Sequence, residues 1–504
     1  MVRNKMKDRK MKNILLVLLL HLLSYLEIHA QANGKSIIAG SYAGENNGFA
    51  IIATYNHYMR LRNNLDSVED TVALENNRFR FEISKQNQPI YFTLFVPFKT
   101  YRGQKIYLYA LGPNSDIQID LKADTIIFKG KGSEALTCQY LIDKVNKVHG
   151  IPKSLFKSPM EQENFLNKWG DYKYRMFLKK GNDSVYQEKL KILQSYKEKI
   201  STMMFKRLST DLESEKEYSV YDSFFAYRFY NYPDEKKQEL LRFYRDELFD
   251  CKVDTNSSDN KIDAKLFTSA IIAKLEANII FKTIPRTYRS AKVDSLLYLR
   301  LKGDFQGKLK ERLLTEFMIK LFKKGSKSLN YYYTETLADV KDTYLNSILS
   351  TYQGNISGRT AYPFLLPDTK GDTISLKRFE GKVIVIDFWF KGCSQCITLE
   401  EQMRLVRQYF NNNNNIVFVS INVDYKKATW LEGIASGKYT DAENINLSLY
   451  GLGFKHPFLK YYGYTGFPQL LIIDKNQKVV SAQPNKPFFS SDRPKFIKYL
   501  ESFL

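Results

Sequence analysis

Between Lys382 and Cys396, an apolar, β-branched run, Val383-Ile384-Val385-Ile386-Asp387-Phe388-Trp389-Phe390, gives way within three residues to two cysteines spaced C-x-x-C. A run with so little polar alternation predicts a central strand covered on both faces. Beyond the cysteines, Leu399, Met403, Val406 and Phe410 step by four, three and four, which is one face of a helix. Cys393 and Cys396 therefore belong at a strand-to-helix junction. A cysteine at a helix N-terminus meets unsatisfied backbone N–H groups and the positive end of the helix dipole, and both favour thiolate over thiol. Cys393 reads as the nucleophile. Cys396, one turn later, reads as the thiol that attacks a mixed disulfide on Cys393 and closes an internal disulfide.

A C-x-x-C pair also occurs in zinc sites, but structural zinc needs four Cys or His ligands. Outside the first 32 residues the chain offers His57, His149 and His456 and the distant Cys138 and Cys251, with no second paired motif. No metal is expected, and no cofactor, since the sulfurs carry the electrons themselves. The sequence does not decide whether Cys138 and Cys251 pair; two separate buried thiols is the default reading.

The chain of 504 residues has room for about three domains. Apolar residues make up 44% and charged residues 26%, a globular balance that excludes collagen-like and wholly disordered classes. Short alternating runs from Ser36 to Phe128, such as Arg78–Ile83, Ile106–Tyr109, Ile117–Asp120 and Thr125–Phe128, are separated by turn signals. They predict an N-terminal antiparallel β-sandwich-like domain over residues 33–133. From Glu134 the period becomes helical. Ser158-Pro159-Met160-Glu161 and Ser184-Val185-Tyr186-Gln187 read as two helix starts. After the second, Leu190, Leu193, Tyr196, Ile200, Met203 and Met204 continue an apolar face, so 134–353 reads as an all-α region. The aromatic runs Tyr218–Tyr232 and Tyr331-Tyr332-Tyr333 read as core rather than groove. Gly354-Asn355-Ile356-Ser357-Gly358 reads as a linker to an α/β domain over 354–504.

That last region resembles the thioredoxin fold, and within it the exported thiol-disulfide oxidoreductases of the TlpA/ResA type. Leu366–Leu376 is similar to the family's opening hairpin, Gly381-Lys382 to the start of its central strand, and Asp387-Phe388-Trp389 with C-x-x-C to its active-site loop. Thr465-Gly466-Phe467-Pro468, followed by Gln469–Asp474 and Val479-Val480, is similar to its cis-proline loop and final hairpin. The resemblance implies that Pro468 is cis and that the backbone of Phe467 pairs with a bound substrate chain. It also implies that Asp387 is a buried acid relaying a proton to or from the second thiol, in a low-dielectric site that raises a carboxyl pKa. The stretch between Cys396 and Pro468 exceeds a minimal thioredoxin, and Asn444–Leu449 and His456–Tyr462 read as an inserted strand and helix. The chain departs from the family in having Ser394-Gln395 between the cysteines, Gly392 before them, Leu399 and then Glu400 where an acid is usual, and no helix proline. More weakly, the region before residue 134 resembles the N-terminal β-domain of exported thioredoxin-like proteins of the Bacteroidetes.

At the start, Arg3, Lys5, Lys7, Arg9, Lys10 and Lys12 precede the apolar run Ile14–Leu26 and then Ala30-Gln31-Ala32. That order is a secretory signal peptide over residues 1–32, too short for a spanning helix. The expected location is periplasmic, with membrane contact only transient or through a partner. The net charge of +22 raises the question of nucleic acid, but the basic residues are dispersed among acidic ones with no recognition motif, and no nucleic-acid partner is expected. The expected partners are protein disulfides or dithiols and an unidentified electron donor. The favoured reading is a thiol-disulfide oxidoreductase, with the resemblance pointing to a reductase. A peroxiredoxin is the rival enzyme, but it needs a proline and a threonine or serine upstream, where Phe388-Trp389-Phe390 stand. A binding or scaffold protein, with residues 36–353 active and the last domain accessory, is the rival from another class.

Overall fold

The computed structural model describes residues 34–504 apart from 43–47, 57, 60–66, 97–103, 123–124, 150–158, 222–232, 249–252, 254, 256–258, 284–289, 325–328 and 442–443. The targeting segment, Ser158 and Cys251 lie outside these residues. Chain contacts define two compact units, Met1–Lys252 with Ser257–Ala277, and Val253–Asn256 with Asn278–Leu504.

In the first unit eight strands, β1 (Ser36–Tyr42), β2 (Phe49–Tyr55), β3 (Val68–Ala73), β4 (Arg78–Ile83), β5 (Ile90–Val96), β6 (Gln104–Leu111), β7 (Asp116–Leu121) and β8 (Ile126–Lys131), form two four-stranded sheets. Strand β4 shows why: its burial alternates residue by residue, turning Phe79, Phe81 and Ile83 inward and its arginines outward. Those side chains share one core with Ile38 and Ile119 of the same sheet and with Ile52, Phe92 and Leu94 of the other. The expectation of an antiparallel sandwich needs one correction, because β1 pairs in parallel with β7. The two strands are separated by five others in the chain, so no hairpin dictates their direction.

Helix α1 (Ser133–His149) anchors to this β-domain through Gln139, whose side-chain amide accepts from Ala110 N at 2.7 Å and donates to Ala110 O at 2.9 Å. Helix α2 (Pro159–Ser195) then runs without a break through Ser184, which corrects the expected second helix start. The residues before it, Gly181-Asn182-Asp183, are poor helix formers, and distant contacts accompany the continued helix there: Asp183 pairs with Lys216 at 2.9 Å and Asn182 Nδ2 donates to Ser219 Oγ at 3.3 Å, so the capping sequence goes unused. The apolar face read as continuous to Met204 is also divided, since α2 stops at Ser195 and α3 (Thr202–Tyr221) begins after a turn. Next come α4 (Asp234–Glu247), α5 (Asp259–Ile262) and α6 (Phe267–Thr283).

The second unit includes helices α7 (Ser290–Gly303), α8 (Gly307–Lys324), α9 (Leu329–Asp339) and α10 (Thr343–Thr351). Tyr332 and Tyr333 are buried and Tyr331 is 71% exposed, so the aromatic run contributes mostly to packing. The stretch at 354–358 read as a linker is in part buried. Asn355 Nδ2 donates to Tyr462 O at 2.9 Å, and a Cβ on Gly354 would lie 2.3 Å from the Tyr461 ring. Its glycine and asparagine serve close approach and backbone pairing, the other physical use of turn-forming residues.

The α/β part holds a small hairpin, β9 (Leu365–Pro367) and β10 (Thr373–Ser375), and a five-stranded sheet. The sheet strands are β11 (Val383–Trp389), β12 (Ile416–Asn422), β13 (Ile445–Ser448), β14 (Gln469–Ile473) and β15 (Val479–Ser481), in spatial order β13-β12-β11-β14-β15. Strands β11, β12 and β13 run parallel, and β14 and β15 antiparallel to their neighbours. All seven residues of β11 are buried, as an apolar run without alternation requires. Ile384, Ile386 and Phe388 enter the core on one face. Val383 and Val385 enter the other, against Leu399, Met403, Val406 and Phe410 of α11 (Ser394–Tyr409) and Phe496 and Leu500 of α14 (Arg493–Glu501). Each of those four α11 side chains contributes about 1.5–3 kcal/mol by burial. Between β12 and β14 lie α12 (Lys427–Ala435), β13 and α13 (Pro457–Tyr461), the last two matching the expected insert.

Candidate active site

The cysteines sit where β11 hands over to α11. After Trp389 the chain turns through Phe390-Lys391-Gly392. Lys391 N donates to Asp424 Oδ2 at 2.9 Å, Gly392 N to Tyr439 Oη at 2.8 Å, and Cys393 N to Phe390 O at 3.2 Å. Gly392 takes φ +100°, a left-handed conformation that glycine adopts without strain. Cys393 is the N-cap of α11, and its sulfur accepts from Cys396 N at 3.2 Å. The two sulfurs are placed at disulfide distance, with Cα atoms 5.3 Å apart. Both cysteines are buried, in a cluster with Trp389, Trp430 and Tyr439. The Tyr439 ring lies parallel to Trp389 with centroids 5.1 Å apart, holding the strand end while its hydroxyl holds the turn.

Asp387 is on the α11 side of β11, sharing the parity of Val383 and Val385. It is 9% exposed, and its Oδ2 accepts from Ser420 Oγ at 3.0 Å, which in turn accepts from Trp389 Nε1 at 2.8 Å. Desolvation raises its pKa to about 7, helped by the carboxylate of Glu400 and opposed by Arg407 and the Ser420 hydroxyl. The expectation of a solvent-shielded acid with a raised pKa thus has a geometric basis. A cavity of about 10 Å³, room for one water molecule, is lined by Asp387, Cys396, Glu400, Met403, Tyr439 and Pro468 among others.

Glu400 and Arg407 were not singled out as a pair in the sequence. They lie seven apart, two turns on one helix, and the Arg407 guanidinium donates to Glu400 Oε1 while Arg404 approaches the same oxygen at 3.6 Å. Glu400 is 4% exposed, an acid sunk into the apolar face beside Asp387. The usable signal was there: an acid one position after Leu399, on the face that buries, with arginines at i+4 and i+7.

The bond from Phe467 to Pro468 is cis, and Phe467 packs against the cysteine cluster. The loop expected to face the cysteines does so, and both lie in one cavity wall or cluster with Cys396. Among the described residues, no group of three His, Cys, Asp or Glu side chains is placed to hold a metal. A second cavity, about 910 Å³, lies between Phe322, Leu329 and the β15–α14 end and includes neither cysteine.

This sheet order, with a dithiol at the tip of the helix after the central strand and a cis-proline loop beside it, defines a thioredoxin-like redox domain. Residues 381–479 match a family model described as thioredoxin-like. The α/β part is similar to the thioredoxin domain of a thiol-disulfide oxidoreductase from Bacteroides vulgatus, at 25% identity over 28% of this chain and 97% of that one, with a TM-score of 0.25. It is also similar to a thiol:disulfide interchange protein from a Bacteroides species, at 24% identity over 29% and 93% of the two chains, TM-score 0.26. A thiol-disulfide oxidoreductase from Bacteroides fragilis matches at 16% identity over 27% and 99%, TM-score 0.25. No curated protein matches the chain.

Proposed function

We propose that the protein is an exported disulfide reductase of the TlpA/ResA type. The observation that carries the reading is the Cys393–Cys396 disulfide at the N-terminus of α11, within reach of a buried acid and a cis-proline loop. In the reduced protein, the Cys393 thiolate attacks one sulfur of a partner disulfide, forming a mixed disulfide and expelling the other sulfur as thiolate. Cys396, deprotonated by Asp387 through the one-water cavity, then attacks Cys393 and expels the partner's second thiolate. Two electrons pass to the partner, the protein is left with the disulfide seen here, and a dithiol donor restores it with two electrons and two protons. The same residues run backwards in an oxidase, so direction depends on potential. The exported location rests on the basic-apolar-small order of residues 1–32. No described helix is long and apolar enough to cross a membrane.

The test is equilibration of the mature chain in glutathione buffers, with the dithiol fraction read by alkylation and mass spectrometry, alongside reduction of a protein disulfide. The reading expects full conversion of Cys393–Cys396 at a potential below that of the glutathione couple, and loss of turnover in Cys393→Ser. A pair that never exchanges with any thiol defeats it. Exchange at a potential near −120 mV, the oxidant end of the scale at roughly that value, reverses the direction.

A further inference from the structure

Phe390, Phe454 and Phe467 come from three separate parts of the α/β region: the turn before Cys393, the one-turn segment Gly453–Lys455, and the cis-proline loop. Their rings meet edge to face, with centroids 5.6 Å apart for Phe390–Phe454, 6.1 Å for Phe390–Phe467 and 5.5 Å for Phe454–Phe467. Phe390 and Phe467 rest on the cluster that contains Cys393 and Cys396, while Phe454 is 45% exposed. The apolar surface continues outward. A Cβ on Gly453 would lie 2.9 Å from the Tyr425 ring, and Tyr425 and Leu452 are themselves exposed. Lys426, Lys427 and Lys455, next to these residues in the chain, are exposed as well.

A ring that only filled the core would be covered. Here the outermost phenylalanine leaves about half its surface in water, yet it is held by two others packed on the cluster that contains both cysteines. A contiguous exposed apolar patch marks a binding surface, and this one runs from rings packed on the cysteine cluster to residues flanked in the chain by three exposed lysines.

We propose that this surface takes the segment flanking the reacting cysteine of a partner protein. It selects segments with an aromatic or branched apolar residue beside that cysteine and an acidic residue beyond it. Phe454, supplied by the insert, is the specificity-determining residue. The proposal rests on the oxidoreductase reading and narrows its substrate class.

The test uses the reduced full chain and peptides whose single cysteine is joined to glutathione, followed by Phe-Glu or by Gly-Lys. Second-order rate constants are read from tryptophan emission, each divided by the rate with glutathione disulfide on the same protein. The Phe-Glu peptide is expected to react about tenfold faster than Gly-Lys, falling to under about threefold in Phe454→Ser and kept in Phe454→Leu. Wild-type rates within about twofold of each other, or a preference that survives Phe454→Ser, overturn the proposal while leaving the redox reading intact. Failure of every disulfide to react, glutathione disulfide included, overturns both.

Discussion

Replacing Asp387 by Asn separates its burial from its charge. The carboxyl has no ion-pair partner of its own among the described residues, and its pKa is raised from 3.8 to about 7, chiefly by desolvation and next by Glu400. Between those values the folded protein holds a proton that the unfolded chain has released, so unfolding free energy falls as pH rises across that window. The contribution of that proton to stability, present in full below the unfolded-state pKa, is lost above the folded-state pKa. A shift of about three units corresponds to about 4 kcal/mol at 1.36 kcal/mol per unit, an upper figure because some relaxation accompanies charging. Asn carries no titrating proton, and its carbonyl can still accept from Ser420. The gain of Asp387→Asn over wild type should therefore be near zero at pH 4 and rise toward about 4 kcal/mol at pH 8. Urea unfolding followed by tryptophan emission measures it, because Trp389 and Trp430 are two of the three tryptophans and both lie in the cysteine cluster. Taking the difference between variants cancels the titrating groups that do not couple to Asp387. A difference that stays flat within about 1 kcal/mol from pH 4 to 8, or a variant less stable than wild type at pH 8, would refute the burial argument.

If Asp387 takes the Cys396 proton as proposed, the same replacement should slow closure of the Cys393–Cys396 disulfide by about a hundredfold at pH 7, measured by quenching the mixed disulfide. Arg407→Met leaves Glu400 buried beside Asp387 with Arg404, 3.6 Å away, as its remaining ion pair among the described residues. It should lower stability by about 3 kcal/mol in urea titrations and move the Asp387 titration to higher pH. Gly433→Ala places a methyl 2.6 Å from the Trp389 ring, and overpacking there should remove about 1–3 kcal/mol and alter tryptophan emission. Burial pushes the Cys138 thiol up to about 12, so after reduction iodoacetamide at pH 8 should label Cys393 long before Cys138, as peptide mapping would show.

Local pattern carried the redox junction. An unalternating run, a glycine, two cysteines and a 3.6-residue apolar face each act over neighbouring residues, so β11, α11 and the place of Cys393 were legible in the chain. So were β4 and the inserted β13 and α13, whose periods are short. The failures share one cause, which is that the deciding contact lies far away in sequence. Ser184 has the residues of a helix start but sits inside α2, and Gly354 has those of a linker but packs on Tyr461. The parallel β1–β7 pair joins segments about 80 residues apart.

The amino-acid order alone determined where the two sulfurs stand: three residues apart, with a strand on one side and a helix on the other. Folding decided what surrounds them. Only the packed chain brings Glu400 and Arg407 against Asp387, lays Tyr439 on Trp389, and gathers Phe390, Phe454 and Phe467 into one surface. The physical reason is range: hydrogen bonding and periodicity along an element are written in adjacent residues, whereas desolvation and ring contact depend on which distant elements close over a site.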